Sequence, residues 1–163
     1  MRAYVAALVL AFAAACSPPT SDAPQPIEGG ARVAEAPADV LAAIRAEDPA
    51  FQPSAAIEDA LIGAVVWKVT GAGENPRTYH VLNSNEGWHV VQIRRDLAWG
   101  DAPHAVRDVV AMSPQAMVPT KVTEVVEPGA DGVMYDLYAD NPESPALTVR
   151  LVGNEAAIMP PPH

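Results

Sequence analysis

Two histidines have the side chains best suited to chemistry in this chain. His80 and His89 lie in neighbouring predicted strands, on either side of a predicted turn at residues 83–87. Imidazoles on adjacent strands can share a metal ion or pass a proton. A turn with its tip at Asn85 and Glu86 would place the two rings diagonally, and the sequence alone does not fix the register. Because no third ligand is evident, we predict two exposed strand residues and no metal site.

Carboxylate pairs and a glycine loop are the next candidates. Glu47-Asp48 and Glu58-Asp59 could serve as acid and base, but adjacent residues of a strand point to opposite faces. Residues 71–73 read Gly-Ala-Gly between two predicted strands, which is typical of a turn rather than of a phosphate-binding loop. No Gly-x-Ser-x-Gly or His-Glu-x-x-His motif occurs. We therefore predict a protein that is not an enzyme and needs no cofactor.

Aromatic residues give the strongest indication of binding. Those that fall in predicted strands are Trp67, Tyr79, Trp88, Tyr135 and Tyr138. Short helices rich in Ala and Val can cover only some of these rings, and exposed Trp and Tyr typically anchor protein partners. We predict Trp67, Trp88 and Tyr138 as anchors on an open sheet face, with Lys68 and Arg150 as polar neighbours. The alternative is that all the rings fill the core or the join between two halves.

Alternating polarity predicts the strands that position these residues. In residues 65–70 and 133–138, apolar and more polar side chains follow each other with the two-residue period of a strand buried on one face. Turn residues such as Asn and Gly separate the segments. The predicted strands are residues 54–62, 65–70, 78–82, 88–93, 121–127, 133–138, 147–152 and 155–159. The polar run at residues 94–96 is predicted to leave the sheet.

Two short helices are predicted before these groups of strands. The first begins near Pro37, carries an apolar stripe from Val40 to Ile44, and ends at Asp48 because Pro49 follows. The second has Asp101 as its cap, Pro103 in its first turn and Val106, Val109 and Val110 at helical spacing.

The two helix starts are similar. Glu35-Ala36-Pro37 is echoed by Asp101-Ala102-Pro103, an offset of 101 − 35 = 66 residues. This repetition predicts two copies of one α-β-β-β-β module. Two separate domains of about 60 residues would each be marginally stable, whereas about 125 residues suffice for one core. We therefore predict an α+β fold in which both modules share one antiparallel sheet of about eight strands, with both helices on one face.

The N-terminus has the pattern of an export signal. Arg2 is followed by an uncharged stretch from residue 3 to residue 15, which is too short to span a bilayer. The sole cysteine, Cys16, follows three alanines and resembles a bacterial lipoprotein lipobox, although Ala13 stands where that pattern prefers Leu. The resemblance implies cleavage before Cys16 and lipidation of it. The alternatives are secretion without lipidation and an anchor that is not cleaved. If the cysteine is lipidated, the resemblance implies that Ser17 after it directs the protein to the outer membrane.

Amino-acid composition indicates how the rest of the chain is organised. A single cysteine cannot form an internal disulfide in an exported protein. The stretch after it is rich in Pro, Ser and Gly and predicts an extended tether. The predicted organisation is a signal peptide at 1–15, the lipidated Cys16 with its tether at 16–34, a first module at 35–100, a second module at 101–159 and a tail at 160–163.

Charge excludes one large class of partner. The chain has 20 acidic and 10 basic residues, for a net charge of −10. Nucleic acid would be repelled, and no basic stripe occurs. The same acidity means that lipid, rather than surface charge, must hold the protein to an anionic membrane. We predict that the protein is a monomer.

The second predicted module resembles PepSY-type and PepSY-like domains. The residues that carry the resemblance are the helix at 103–110, the strand at 119–125 that reads Pro-Thr-Lys-Val-Thr-Glu-Val, and the strand at 132–137 that reads Gly-Val-Met-Tyr-Asp-Leu. The first module matches less well, since Trp67 stands for the Tyr. Tandem copies in one exported chain also resemble the β-lactamase inhibitory protein architecture. That resemblance implies an eight-stranded sheet with both helices on one face.

These observations predict a non-catalytic, lipid-anchored protein of the bacterial cell envelope, on the periplasmic face of the outer membrane. We expect it to bind a protein or peptide through its sheet face, as an inhibitor or an assembly factor. A structural spacer without a ligand is the first alternative, and it predicts that Trp88 and Tyr138 are buried. A carrier of a small apolar ligand is the second, and it requires a cavity between helices and sheet.

Overall fold

The computed structural model describes residues 35–61 and 64–160. The predicted signal peptide, the lipidation site Cys16 and the tether lie outside the described residues, as do the last three residues of the tail. The predicted anchor residues and both predicted modules are within them.

Two α-helices form where the apolar spacing predicts them. Helix α1 spans Ala38–Glu47 and helix α2 spans His104–Ala111. Val40 and Ile44, one helical turn apart, are both fully buried in α1. α1 ends at Glu47, because Asp48 precedes a proline and such a residue is disfavoured in helical conformation.

The predicted cap of the second helix is wrong. Asp101 belongs to a short 3-10 helix, Trp99–Asp101, and Pro103 occupies the position before α2 without a capping hydrogen bond from a side chain. Proline can stand here because its fixed φ suits a helix start, where no amide donor is needed.

Eight strands follow one another across a single antiparallel sheet. They are β1 (Pro53–Leu61), β2 (Ala64–Gly71), β3 (Arg77–Ser84), β4 (Gly87–Leu97), β5 (Lys121–Val126), β6 (Val133–Tyr138), β7 (Leu147–Val152) and β8 (Glu155–Ile158). Their order in the sheet is their order in the chain, so each strand pairs with the next. The predicted α+β fold with an eight-stranded antiparallel sheet and two helices is confirmed.

Strand β4 departs from the prediction and joins the two halves. Arg94, Arg95 and Asp96 do not leave the sheet; they continue β4 to Leu97 and pair with β5. The charged run stays in the sheet because each side chain finds a partner there. Arg95 forms an ion pair of 2.8 Å with Glu124, directly opposite it on β5.

Both helices pack on the same face of the sheet. Residues paired directly across strands lie on the same face, so Val69 on β2, Tyr79 on β3 and Ile93 on β4 share this face. Pairing of β4 with β5 then continues it to Glu124, Tyr135 and Val149. One buried cluster lies under α1 and includes Val40, Ile44, Trp67, Val69, Tyr79 and Val81. A second lies under α2 and includes Val106, Val110, Val122, Tyr135, Leu137 and Val149. We call this the covered face, and the opposite one the uncovered face.

Candidate functional site

Within the part of the chain that the structure describes, no element packs over the uncovered face of the sheet, and we take this face as the candidate site. Residues paired directly across antiparallel strands share a face, so the register assigns this one. Its polar and charged strand residues are Asp59, Lys68, Thr70, Thr78, His80, His89, Gln92, Arg94, Asp96, Lys121, Thr123, Asp136, Thr148, Arg150 and Glu155. Neither helix packs on it, and its side chains bond to one another.

Arg94 is at the centre of the main hydrogen-bond network. Its Nη2 donates to Oδ2 of Asp136 and to the hydroxyl of Tyr138, both at 3.1 Å, and its Nη1 donates to Gln92 at 3.2 Å. Asp136 also accepts a 2.8 Å bond from Thr148. The Asp136 side chain is only 16% exposed, so this carboxylate depends on its partners for compensation. The members of this network lie on β4, β6 and β7, so its bonds reach across β5.

A second set of polar residues lies beside it, where β4 meets β5. Asp96 accepts a 2.7 Å bond from Thr123 and pairs with Lys121 at 3.1 Å. Nζ of Lys121 also lies 5.4 Å from the centre of the Tyr138 ring, within cation–π range. A cavity of about 490 Å³ opens here, between these side chains and the β2–β3 loop, with Thr70 on its wall. The side chains that line this cavity include both hydrogen-bond donors and hydrogen-bond acceptors.

His80 occupies a crowded position between cations. It lies directly opposite Lys68 on β2 and opposite Gln92 on β4. Burial, together with the smaller effects of the Arg94 and Lys68 charges, lowers the pKa of His80 to about 4, against the opposing effect of Asp59. The ring is therefore neutral at physiological pH.

The two histidines do not form a site together. The turn tip is at Asn85 and Glu86, so His89 pairs with Leu82 and lies diagonally from His80 on the same face. Within the described residues, no group of three or more His, Cys, Asp or Glu could hold a metal ion. The carboxylates of Glu58 and Asp59 point to opposite faces, as predicted.

The charge of the uncovered face differs from that of the chain. Its strands carry four cations, Lys68, Arg94, Lys121 and Arg150, and four carboxylates, Asp59, Asp96, Asp136 and Glu155. The whole chain has twice as many acids as bases. The excess negative charge thus lies elsewhere, and this face is close to neutral.

The predicted placement of two anchors is wrong. Trp67 is 6% exposed and belongs to the core under α1. Trp88 pairs with Asn83, which puts it on the covered face, where it packs against the same cluster. Tyr138 is on the uncovered face, as predicted, but it is 6% exposed and lies under Lys121 and Arg94. It supports the charged side chains instead of projecting from the surface.

The polar neighbours are better placed than the aromatics. Lys68 lies on the uncovered face in a 2.6 Å ion pair with Asp59. Arg150 also lies there and donates two hydrogen bonds, of 2.7 and 3.1 Å, to the backbone carbonyl of Asp131. The sequence analysis missed Arg94, Asp136 and Lys121. The alternation of β6 predicts the orientation of Asp136, but its partner Arg94 was assigned to a connection.

No family model, curated protein or solved structure matches this chain. Neither of the described helices has the length and hydrophobicity needed to cross a membrane.

Proposed function

We propose that this chain is a non-catalytic, lipid-anchored protein of the bacterial cell envelope that binds a protein or peptide through its uncovered face. One observation carries the proposal: among the described residues, nothing packs over one face of the eight-stranded sheet, and the ion pairs Lys68–Asp59, Arg94–Asp136 and Lys121–Asp96 hold most of its charged side chains in place. The role as an inhibitor or assembly factor, and the site at the periplasmic side of the outer membrane, belong to the same proposal.

The size of the face supports this. Strands lie about 4.8 Å apart and rise about 3.3 Å per residue, so eight strands of about seven residues cover roughly 900 Å². A standard protein interface buries about 800 Å² on each partner. The face is therefore large enough for a partner of ordinary size.

Pre-organisation supports it as well. Half-buried side chains such as Arg94 and Asp136, 28% and 16% exposed, already have fixed partners. A binding surface that is ordered before it meets its partner loses less conformational entropy on association. Its balanced charge also lets a second acidic protein approach here with less repulsion than elsewhere on the molecule.

The binding residues that we propose are revised accordingly. Lys68, Lys121 and Arg150 are the cations at the surface, with Tyr138 and Arg94 beneath and between them. Trp67 and Trp88 contribute through the core, because they hold the sheet against α1.

The two halves support a further proposal, that the chain arose by duplication of a PepSY-like α-β-β-β-β unit. Each helix is followed by four strands, and each contacts the last two strands of its own four: α1 contacts β3 and β4, and α2 contacts β7 and β8. The offset of 66 residues between the helix starts agrees with this order.

A spacer role is the second candidate, and one observation favours it. It predicts that the two candidate aromatics are buried, and Tyr138 is buried while Trp88 is partly so. Direct detection of a partner separates the two functions.

Site-specific photo-crosslinking in cells of the source bacterium provides that test. A photo-reactive residue at position 121 or 150 should capture a defined protein, whereas one at the exposed position 45 on α1 should not. Arg150→Glu should reduce the crosslink formed from position 121, and the matched Arg45→Glu should leave it unchanged. Equal capture from positions 45 and 121, or none from 121 and 150, would contradict the binding proposal and favour the spacer.

A further inference from the structure

A second cavity, on the covered side of the sheet, differs in chemistry from the first. Its volume is about 530 Å³, and it lies where the end of α1 meets the β2–β3 loop. Its polar and aromatic lining residues are Asp48, Phe51, Gln52, Asn75, Arg77 and Arg95. This volume is within the usual range of small-ligand sites, about 300–1,000 Å³.

Two arginines lie side by side in this cavity. Arg77 on β3 and Arg95 on β4 are direct cross-strand partners on the covered face. Residues paired in this way have Cβ atoms about 5 Å apart, and like charges there destabilise a sheet. An anion bound by both arginines would offset this repulsion.

The protein's own carboxylates satisfy only part of this charge. Glu124 pairs with Arg95 at 2.8 Å, but Nε of Arg95 is buried without a hydrogen-bond partner among the described residues. Asp48 accepts a 2.8 Å bond from the hydroxyl of Tyr79, and Arg77 lies next to that hydroxyl. Arg77 itself is exposed to solvent.

The lining also provides a surface for an uncharged part of a ligand. The ring of Phe51 packs edge-on against Tyr79, with 4.9 Å between centroids, and touches the backbone of Gly71. A Cβ at Gly71 would lie 2.9 Å from that ring, so glycine is needed for the close approach. The side-chain amides of Gln52 and Asn75 are available at the rim.

We propose that this cavity binds a monocarboxylate, held by the guanidinium groups of Arg77 and Arg95. A planar guanidinium matches a carboxylate with two parallel hydrogen bonds. The carboxylates of Asp48 and Glu124 disfavour a doubly charged phosphate at the same place. The ligand is a small organic acid or the C-terminus of a peptide, with its apolar part on Phe51. The site lies on the opposite face from the proposed protein-binding surface and is independent of it.

Nuclear magnetic resonance titration of the isotope-labelled full chain tests the site. The probes are N-acetyl-alanine, N-acetyl-alanyl-alanine, their C-terminal amides and inorganic phosphate. The two carboxylates should shift the amide signals of Gly71, Gly73 and Asn75, and the two amides should not. Tighter binding of the dipeptide would assign the site to peptide C-termini, and equal binding would assign it to small acids.

Matched variants make the test specific. Arg77→Gln should weaken carboxylate binding about tenfold or more, because it removes a charge-assisted hydrogen bond. Arg77 is exposed, so this variant should keep its fold. Arg45→Gln, an exposed arginine on α1, should bind like the wild type. Equal shifts with carboxylates and amides, a response to phosphate alone, no response at all, or unchanged binding by Arg77→Gln would each overturn the proposal.

Discussion

Removal of the Asp136 carboxylate should destabilise the protein far more than removal of a similar carboxylate on the same face. In Asp136→Ala, Arg94 loses its ion pair and Thr148 loses its acceptor. Both hydrogen bonds are accepted by a charged carboxylate, and a bond of this kind contributes about 1.5–3 kcal/mol. Arg94 is 28% exposed, so water replaces part of the loss. We expect a decrease of about 2–3 kcal/mol in the free energy of unfolding.

Asp96 provides the matched control for this change. It also accepts a hydrogen bond from a threonine, Thr123, and it also pairs with a cation, Lys121. Its side chain is 64% exposed, and exposed ion pairs contribute about 1 kcal/mol or less. Asp96→Ala should therefore cost clearly less than Asp136→Ala.

Urea denaturation followed by circular dichroism measures both values. A double-mutant cycle with Arg94→Met should give a coupling energy of about 1 kcal/mol between Arg94 and Asp136. If Asp136→Ala cost no more than Asp96→Ala, or if the coupling were near zero, the half-buried network would not be the ordered unit that we describe.

Three further predictions concern His80, Gly132 and Trp67. The pKa of His80 is about 4 in the folded protein and about 6.5 in the unfolded chain. As pH falls from 6.5 to 4, the unfolded chain therefore binds a proton that the folded protein does not. The wild type should lose stability relative to His80→Gln over this range. We expect the free energy of unfolding to fall by about 1–2 kcal/mol, since solvent screens part of the effect. Urea titrations across this pH range measure the loss, with His89→Gln as control. Parallel curves of stability against pH for wild type and His80→Gln would refute the prediction. Gly132→Ala should reduce the free energy of unfolding by at least about 2 kcal/mol, because its φ is +83° and a Cβ would meet the backbone of β7. Gly129→Ala, at a residue with the same φ but open space around it, should reduce it by about 1 kcal/mol. Thermal unfolding measures both, and equal losses would contradict this prediction. Trp67→Ala should cost about 3–5 kcal/mol in urea unfolding, and a loss below 1 kcal/mol would exclude Trp67 from the core.

The sequence predicts the elements of the second half closely, because several signals agree there. Strands β6 and β7 begin and end at the predicted residues. The alternation of β6 is also as predicted, because Tyr135 and Asp136 lie on opposite faces of the sheet. β-branched and aromatic residues alternate with polar ones in these strands, and turn residues bound them.

The errors at β4 have one physical cause. A β-bulge interrupts the pairing of β3 with β4, so Val90 pairs with Val81 and Gln92 pairs with His80. The extra residue reverses the alternation within the strand. Trp88 therefore faces the helices, and Arg94 faces the other way, although six positions of simple alternation would put them on one face. A bulge depends on pairing with the neighbouring strand, which the periodicity of a single segment does not reveal.

The sequence also does not show which face of the sheet the helices cover. Alternation divides the aromatics into two sets, but it does not say which set the helices cover. The sequence analysis places Trp67 and Trp88 on the open face, but both are in contact with the core under α1. Side-chain volume decides this: the short α1 offers little more than Val40 and Ile44, so large rings from the sheet must fill the space beneath it.

The network on the uncovered face bears on the choice between a binding surface and a spacer. A sheet face exposed to water must be polar, and solvated lysines and glutamates would be sufficient for that. Here Arg94 and Asp136 are mostly buried and bond to each other, to Gln92, to Tyr138 and to Thr148, and Tyr138 is buried although neither described helix packs above it. Burying charged groups on a surface that only needs to be soluble has a desolvation cost with no return. A rigid and nearly neutral face on an acidic protein therefore supports the proposed binding function, in which a partner would require a fixed pattern of donors and acceptors.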